Sequence, residues 1–234
     1  MTKINQHTQY TQYIQNQKLT VPIGVSLVLE NCNLENVLEI ELLENSNLKI
    51  SLKPTQANLL ENISTLQITQ HKNTCFQATK ILQNNYENHW NITLNGDNTT
   101  TKIYTLILGK NQNQFKLDEK ITSLSTNNQI THLTKTVLDD QSCAIIYHTA
   151  VIPFGTLDHQ TNQKIQTILL SQKSKVEMRP ILQISSPSVK ANHGATVGKF
   201  DPNQLVYLQS RGFNLTNAKK LLQDVFCDEI LNKL

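Results

Sequence analysis

Residues 176–234 read VEMRPILQISSPSVKANHGATVGKFDPNQLVYLQSRGFNLTNAKKLLQDVFCDEILNKL and hold the boundary between two kinds of structure. Ahead of Lys199 the apolar residues fall in short alternating runs, and after it they fall at helical spacing. Arg179-Pro180 leads into Ile181–Ile184, which reads as a final strand, and KANHGATVG follows as a polar junction with His193 directly before Gly194. The junction reads as a glycine-bracketed turn that displays the His193 imidazole. A neutral imidazole is a suitable ligand for zinc or iron, but a single ligand holds nothing tightly, so such a site needs a partner chain.

Downstream, Asp201 is placed to cap a helix with Pro202 at its first position and Gln204 at its third. Leu205, Val206, Tyr207 and Leu208 form its apolar side, and Gly212 ends it. A second helix has Thr216 as its expected cap, and its expected buried face is Leu221, Leu222, Val225, Phe226, Ile230 and Leu234. Two short helices cannot make a large core, so they pack on the β region or on a partner, with Leu231 and Leu234 as contact candidates. Cys227, between Phe226 and Asp228, reads as a small core residue.

Upstream, residues 1–20 are a polar lead-in whose sizeable anchors are Tyr10, Tyr13 and Ile14. From residue 21 to 199 the period is two: VPIGVSLVLE, NVLEIELLE and SNLKISL open a rhythm of strands that continues through NLLENISTLQITQ, TCFQATKIL and HWNITLNG. Turns fall at Asn95-Gly96-Asp97, Gly109-Lys110 and Asp139-Asp140. Strands with no helical period between them exclude the α/β classes and leave a sandwich, a barrel or a solenoid. Turns rich in Asn, Gly and Ser suit a solenoid, in which an asparagine can bond its equivalents in the coils above and below, but no exact repeat decides the matter. Residues 200–234 form the helical segment.

The chain has 234 residues, with 21 basic against 18 acidic side chains and no basic stripe, which argues against a nucleic-acid partner. Cys32, Cys75, Cys143 and Cys227 show no C-x-x-C pairing, and a reduced intracellular compartment is the simplest reading. No apolar run is long enough to span a membrane and no hydrophobic signal core opens the chain, so a soluble cytoplasmic protein is expected, unless an organellar targeting peptide has been removed. Phosphate-loop, nucleophile-elbow and paired-carboxylate patterns are all missing. His7, His71, His89, His132, His148, His159 and His193 lack ligand spacing, so a zinc site would have to be assembled by the fold. Asp158 and His159 are expected in a surface turn, because adjacent strand residues point to opposite faces and do not converge on one atom.

RPILQISSPSVKANHGATVGKFDPNQLVYLQSRGF, residues 179–213, resembles the C-terminal signature of the SufB/SufD family, the scaffold subunits of a machinery that builds iron–sulfur clusters. HGATVG followed by YLQSRGF is similar to the SufD branch, the SufB version having glutamate after the histidine. LNGDNTTTKIYTLILGK, THLTKTVLDDQSCAIIYHTAVI and HQTNQKIQTILLSQKSKVEMRPILQI extend the likeness upstream in the same order. The resemblance implies a right-handed parallel β-helix followed by a small C-terminal helical domain, in a shortened form that lacks the family's helical N-terminal domain. It implies a SufB-like partner subunit, a SufC-like ABC ATPase docked on the C-terminal helices through Tyr207, Arg211, Leu222, Phe226 and Leu231, and a homodimer when the partner is missing. His193 matches the family histidine that faces a SufB cysteine across the interface. The implied cofactor is a transient iron–sulfur cluster shared between chains, with none bound stably and no enzymatic role. Ala191 stands where the family usually has cysteine, and Gln209 where it usually has arginine. A purely structural subunit and, further off, a β-helix polysaccharide-binding protein or enzyme are the other readings; six Tyr, six Phe and one Trp without regular spacing count against the last.

Overall fold

The computed structural model describes residues 13–30, 37–52 and 63–234. Tyr10, His7, Cys32 and the start of the run at Asn58 lie outside the described residues. After β1 (Ile14–Gln15) the strands go alternately to two sheets. The first sheet takes β2 (Lys18–Val21), β4 (Glu39–Leu42), β6 (Ile63–Gln70), β8 (Tyr86–Leu94), β10 (Gln114–Ser123), β12 (Cys143–Ile152) and β14 (Lys175–Ile184). The second takes β3 (Ser26–Glu30), β5 (Asn47–Leu52), β7 (Cys75–Leu82), β9 (Thr100–Gly109), β11 (Gln129–Leu138), β13 (His159–Leu169) and β15 (Val189–Gly198). Beyond the antiparallel β1–β2 pair, each strand pairs in parallel with the strand two places earlier. A sandwich or an up-and-down barrel pairs neighbours; pairing at a distance of two strands is a chain climbing one coil at a time. The molecule is a parallel β-solenoid with two faces per coil, as the family resemblance implies.

Alternation decides which side chains go inside. In β12 the inward set is Ala144, Ile146, His148, Ala150 and Ile152, each at most 1% exposed, while the residues between them are half-buried. Stacked coils bury these columns against one another, each large side chain contributing about 1.5–3 kcal/mol on removal from water.

The corners are set by left-handed residues. Asn45, Asn73, Asn98, Asn127 and Asp158 have φ of 58°, 57°, 59°, 58° and 58°. Asparagine and aspartate tolerate this conformation better than other side chains. Asn73 Nδ2 donates to Asn45 Oδ1 at 2.9 Å, Asn98 to Asn73 at 3.0 Å, and Asn127 to Asn98 at 2.7 Å across 29 residues. The expected asparagine ladder therefore exists. Beside it Gly96 leaves no room for a side chain, since a Cβ there would overlap the backbone of Lys72.

The last strand is β15, one strand later than the sequence suggests, and KANHGATVG belongs to it. His193 therefore lies in an edge strand and not in a turn, because the ladder of β13 offers parallel hydrogen bonds along the whole stretch from Val189 to Gly198. After three intervening residues α1 (Pro202–Ser210) begins, with Asp201 accepting from the Asn203 backbone N–H at 2.9 Å as its cap. In α2 (Leu215–Leu231) the cap is Asn214, which accepts from the Asn217 N–H at 2.8 Å, so Thr216 lies within the first turn. α2 lies on the outer face of the second sheet, where Cys227 and Ile230 meet Tyr104, Leu106, Leu133 and Val137. Its buried stripe is Ala218, Cys227 and Ile230, with Leu222, Phe226 and Leu234 half-buried; Leu221 and Val225, expected inside, are exposed because they fall off the line the sheet contacts. The sheet also holds the carbonyl end of this segment: Lys135 Nζ donates to Phe226 O at 2.9 Å, Gln77 to Lys233 O at 3.0 Å, and Lys49 to Leu234 O at 2.7 Å. Among the described residues no helix is long and apolar enough to cross a membrane.

Asn98 bonds a ladder partner on each side and sits at positive φ, so Asn98→Ala is expected to destabilise the solenoid by about 1–3 kcal/mol, from two lost hydrogen bonds and left-handed strain. Asn98→Gly, which removes only the bonds, should cost less. Urea unfolding midpoints of the two variants check the order.

Candidate functional site

β14 and β15 form the last coil, and each is the outermost strand of its sheet. Register places His193 opposite Gln163 of β13, Gln163 opposite His132 of β11, and His132 opposite Ile103 of β9. Strand alternation puts Ala191 and His193 on the same face as Gln163 and His132, which is the interior of the solenoid. Gln163 is fully buried and His132 nearly so, whereas His193 is exposed because no further coil closes over it. His193 thus crowns an interior column at the open end. Ala191, two residues earlier on the same face, presents a methyl group towards the same open end.

Deeper in, across β7 to β12, the interior is charged. Lys80 of β7 donates to Glu119 Oε1 of β10, and Asn88 of β8 donates to the same oxygen at 3.0 Å. Both ionic side chains are fully buried, and the Lys80 ammonium lies 4.2 Å from the centre of the Trp90 ring. The other carboxylate oxygen of Glu119 is 3.6 Å from Nε2 of His132 and 3.6 Å from Nε2 of His148. These two imidazoles stack with centroids 4.4 Å apart, and His148 Nε2 also meets Thr134 Oγ1 at 3.2 Å.

Burial pushes the His148 imidazole down to about 4, against the raising effect of Glu119. His132 is pushed well below its ordinary value by burial and then by His148. Burial, the largest single effect, would raise the Glu119 carboxyl, but the Lys80 charge and hydrogen bond together with His148 and His132 outweigh it and hold the acid at about 2. Lys80 is the largest of the influences that keep Glu119 ionised. Burial also lowers the Lys80 ammonium, with Glu119 acting against that shift.

The remaining histidines are spread out. His71 bonds Glu41 at 2.8 Å and His89 bonds Glu87 at 3.0 Å, both near the surface. Asp158 does occupy a surface turn, where it accepts from Ser188 Oγ at 2.7 Å. His159 does not: it opens β13 facing inward, 1% exposed, with Nδ1 3.4 Å from Ser123 Oγ. Cys75 and Cys143 are half-buried and Cys227 is in the core, where burial pushes its thiol up to about 11. Among the described residues no three His, Cys, Asp or Glu side chains are arranged to hold a metal ion. At Glu119 the Lys80 ammonium already occupies the carboxylate.

The helices offer the second surface. Tyr207 is 58% exposed with the Arg211 guanidinium 5.3 Å from its ring centre, and Leu231 is 37% exposed. Val206 and Val225 add apolar area at 64% and 62% exposure. Leu222 and Phe226 are half-buried, Phe226 beneath the Lys135 ammonium at 4.5 Å. The interior column of Lys80, Glu119, His132 and His148 escaped the reading of the sequence, although each residue stands at the inward phase of its strand. In QFKLDEKITS, for instance, Glu119 takes the place due to an apolar residue between Leu117 and Ile121.

A long parallel solenoid with an open last coil and a helical pair folded back on its flank is the class of protein these features define. The chain belongs to the family described as SUF system FeS cluster assembly, SufBD core domain, which matches residues 10–226. It is 29% identical over 141 residues to the iron-sulfur cluster assembly protein SufD of Bacillus subtilis, covering 60% of this chain and 32% of that protein. It is 31% identical over 148 residues to SufD of Escherichia coli, covering 60% of this chain and 33% of that protein. An iron-sulfur cluster assembly SufBD family protein of Synechocystis sp. is 32% identical over 102 residues, 44% of this chain and 22% of the relative. The chain thus spans a third or less of the length of these relatives.

Two outcomes follow from the buried column. An unfolded histidine takes up a proton near 6.5, whereas folded His148 does so only at about 4 and His132 lower still, so between those values the unfolded state binds more protons. Stability should therefore fall as pH falls from about 6.5, by at most about 1.4 kcal/mol per pH unit for each imidazole. Urea midpoints between pH 7 and pH 5 should show this, with a shallower fall in His148→Gln. Lys80→Met, which strands the Glu119 carboxylate, should cost about 3–5 kcal/mol, and adding Glu119→Leu should recover much of it; a double-mutant cycle measures the recovery.

Proposed function

We propose that this chain is a SufD-like scaffold subunit of an iron–sulfur cluster assembly complex. It meets a SufB-like subunit at its last coil, offers His193 there, and docks a SufC-like ATPase through the exposed side of its helical pair. The observation that carries this reading is the position of His193 on the uncovered interior face of the end coil. A partner laid against that coil would meet the imidazole directly, together with half-buried Val176, Met178, Leu182 and Ile184 and exposed Val197. The same surface would seat a second copy when the partner is missing.

The cluster is cargo. This chain supplies one imidazole and, with Ala191, no thiol beside it, so the remaining ligands come from the partner. The role is therefore binding and placement, with the chemistry shared across an interface and no catalytic group of its own. Tyr207, Arg211 and Leu231, with Leu222 and Phe226 at the margin of the helix contact, are the residues proposed for the ATPase face.

The chain is co-expressed with SufB-like and SufC-like subunits, purified without oxygen, and assayed for iron and sulfide. His193→Ala is expected to leave the complex intact and to lower its iron and sulfide several-fold. Undiminished iron and sulfide in His193→Ala, with loss only on deleting residues 201–234, would assign the chain a purely structural role. That alternative rests on the exposed apolar side chains of the helices and on Ala191.

A further inference from the structure

The interior column beneath His193 contains an amide with nothing to bond. Gln163 is fully buried, yet neither its Nε2 nor its Oε1 has a partner. The ring nitrogens of His132, one coil deeper on the same column, are also buried and make no hydrogen bond, with Glu119 Oε2 3.6 Å from Nε2. Leaving such groups unsatisfied costs about 1–3 kcal/mol apiece. Adjacent parallel strands lie about 4.8 Å apart, so facing side chains on one column are within reach of each other. The register sets Gln163 between His132 and His193.

An amide is the one side chain suited to that position. Its carbonyl accepts from an imidazole N–H while its NH2 donates to the bare nitrogen of another imidazole, so a single glutamine serves a neutral histidine on each side. We propose that Gln163 is the positioning residue for His193: a side-chain rotation lets its unpartnered amide bridge His132 and His193, which fixes the ring orientation of the exposed imidazole and selects which ring nitrogen faces outward. His132 is in turn held by its stacking on His148 and by the proximity of Glu119, so the orientation of His193 is anchored to the buried charged cluster. This deepens the reading in which His193 is the working imidazole, and it extends to this chain the rule that a ligating histidine is oriented through its other nitrogen.

The test uses the full chain with 15N-labelled histidine, and follows ring nitrogens and ring N–H protons by NMR at neutral pH. His193→Ala identifies the His193 signals. The expected wild-type spectrum shows one dominant tautomer of His193 with a ring N–H protected from exchange. Gln163→Leu should abolish the protection and return the ring to the tautomer mixture of a free imidazole. Gln163→Glu, which still accepts, should keep a protected N–H with shifted ring nitrogens, and Gln160→Leu, outward on the same strand, should change nothing. In the co-purified complex Gln163→Leu should weaken iron retention about 10- to 100-fold. A wild-type His193 without a protected N–H, or identical His193 ring spectra in wild type and in folded Gln163→Leu, overturns the proposal. If Gln163→Leu does not fold, an unchanged His193 spectrum in Gln163→Glu overturns it. A ring spectrum that responds to Gln163 while His193→Ala keeps its iron would leave the positioning role standing and remove the ligand role.

Discussion

Parallel hydrogen bonding between successive coils is the constraint on which the rest of the molecule depends. Every strand from β3 to β13 is held on both sides or against the coil that follows it, and each coil exists as structure only because its neighbour supplies half of its backbone partners. In-register pairing also fixes the interior: once Gln129 faces Thr100 and Gln160 faces Gln129, all inward side chains of β9, β11 and β13 stand in columns. A slip of one residue would turn the entire inward set to solvent. The asparagine ladder guards against this from the corner, because each asparagine bonds its own counterpart one coil away and no other.

Within that frame the Lys80–Glu119 pair is costly to bury and specific in what it selects. Desolvating two charges outweighs most of their attraction, so the pair adds little net stability over a well-packed apolar core. It nevertheless discriminates between registers. Lys80 and Glu119 are 39 residues apart on strands of opposite sheets, and only one stacking brings ammonium and carboxylate together with the amide of Asn88. The wrong stacking would leave both charges alone in the interior. The asparagine corner and the charged core thus specify the same alignment from outside and inside.

The local features of the fold were legible because they depend on neighbours in sequence. Period-two runs gave strands, left-handed Asn and Asp gave corners, and Asp201-Pro202 gave a capped helix. What was not legible depends on stacking. KANHGATVG has two glycines and an asparagine, the composition of a turn, and only the waiting hydrogen bonds of β13 draw it into a strand. The buried face of α2 was misplaced towards Leu221 and Val225 because the face that a helix buries is decided by the surface it meets, here Tyr104, Leu106, Leu133 and Val137. The column through His132, Gln163 and His193 needed the register of three strands, which no single stretch of sequence contains. The charges at inward phase were the one signal present in advance: Glu119 and Lys80 break alternations that are otherwise apolar.

The two free edges of the last coil are not equivalent. β14 carries Pro180 directly above His148, and proline has no N–H to contribute to a neighbouring strand, which is why it is confined to edges. That edge is blunted against further pairing. β15 has no proline, and its Gly194 and Gly198 have open space where a side chain would project. Glycine allows close backbone approach, so the strand that carries His193 is the less obstructed of the two edges. A structural edge needs only to be protected, as Pro180 protects β14. The β15 edge, without a proline and with an exposed imidazole beside the Ala191 methyl group, is the more open of the two.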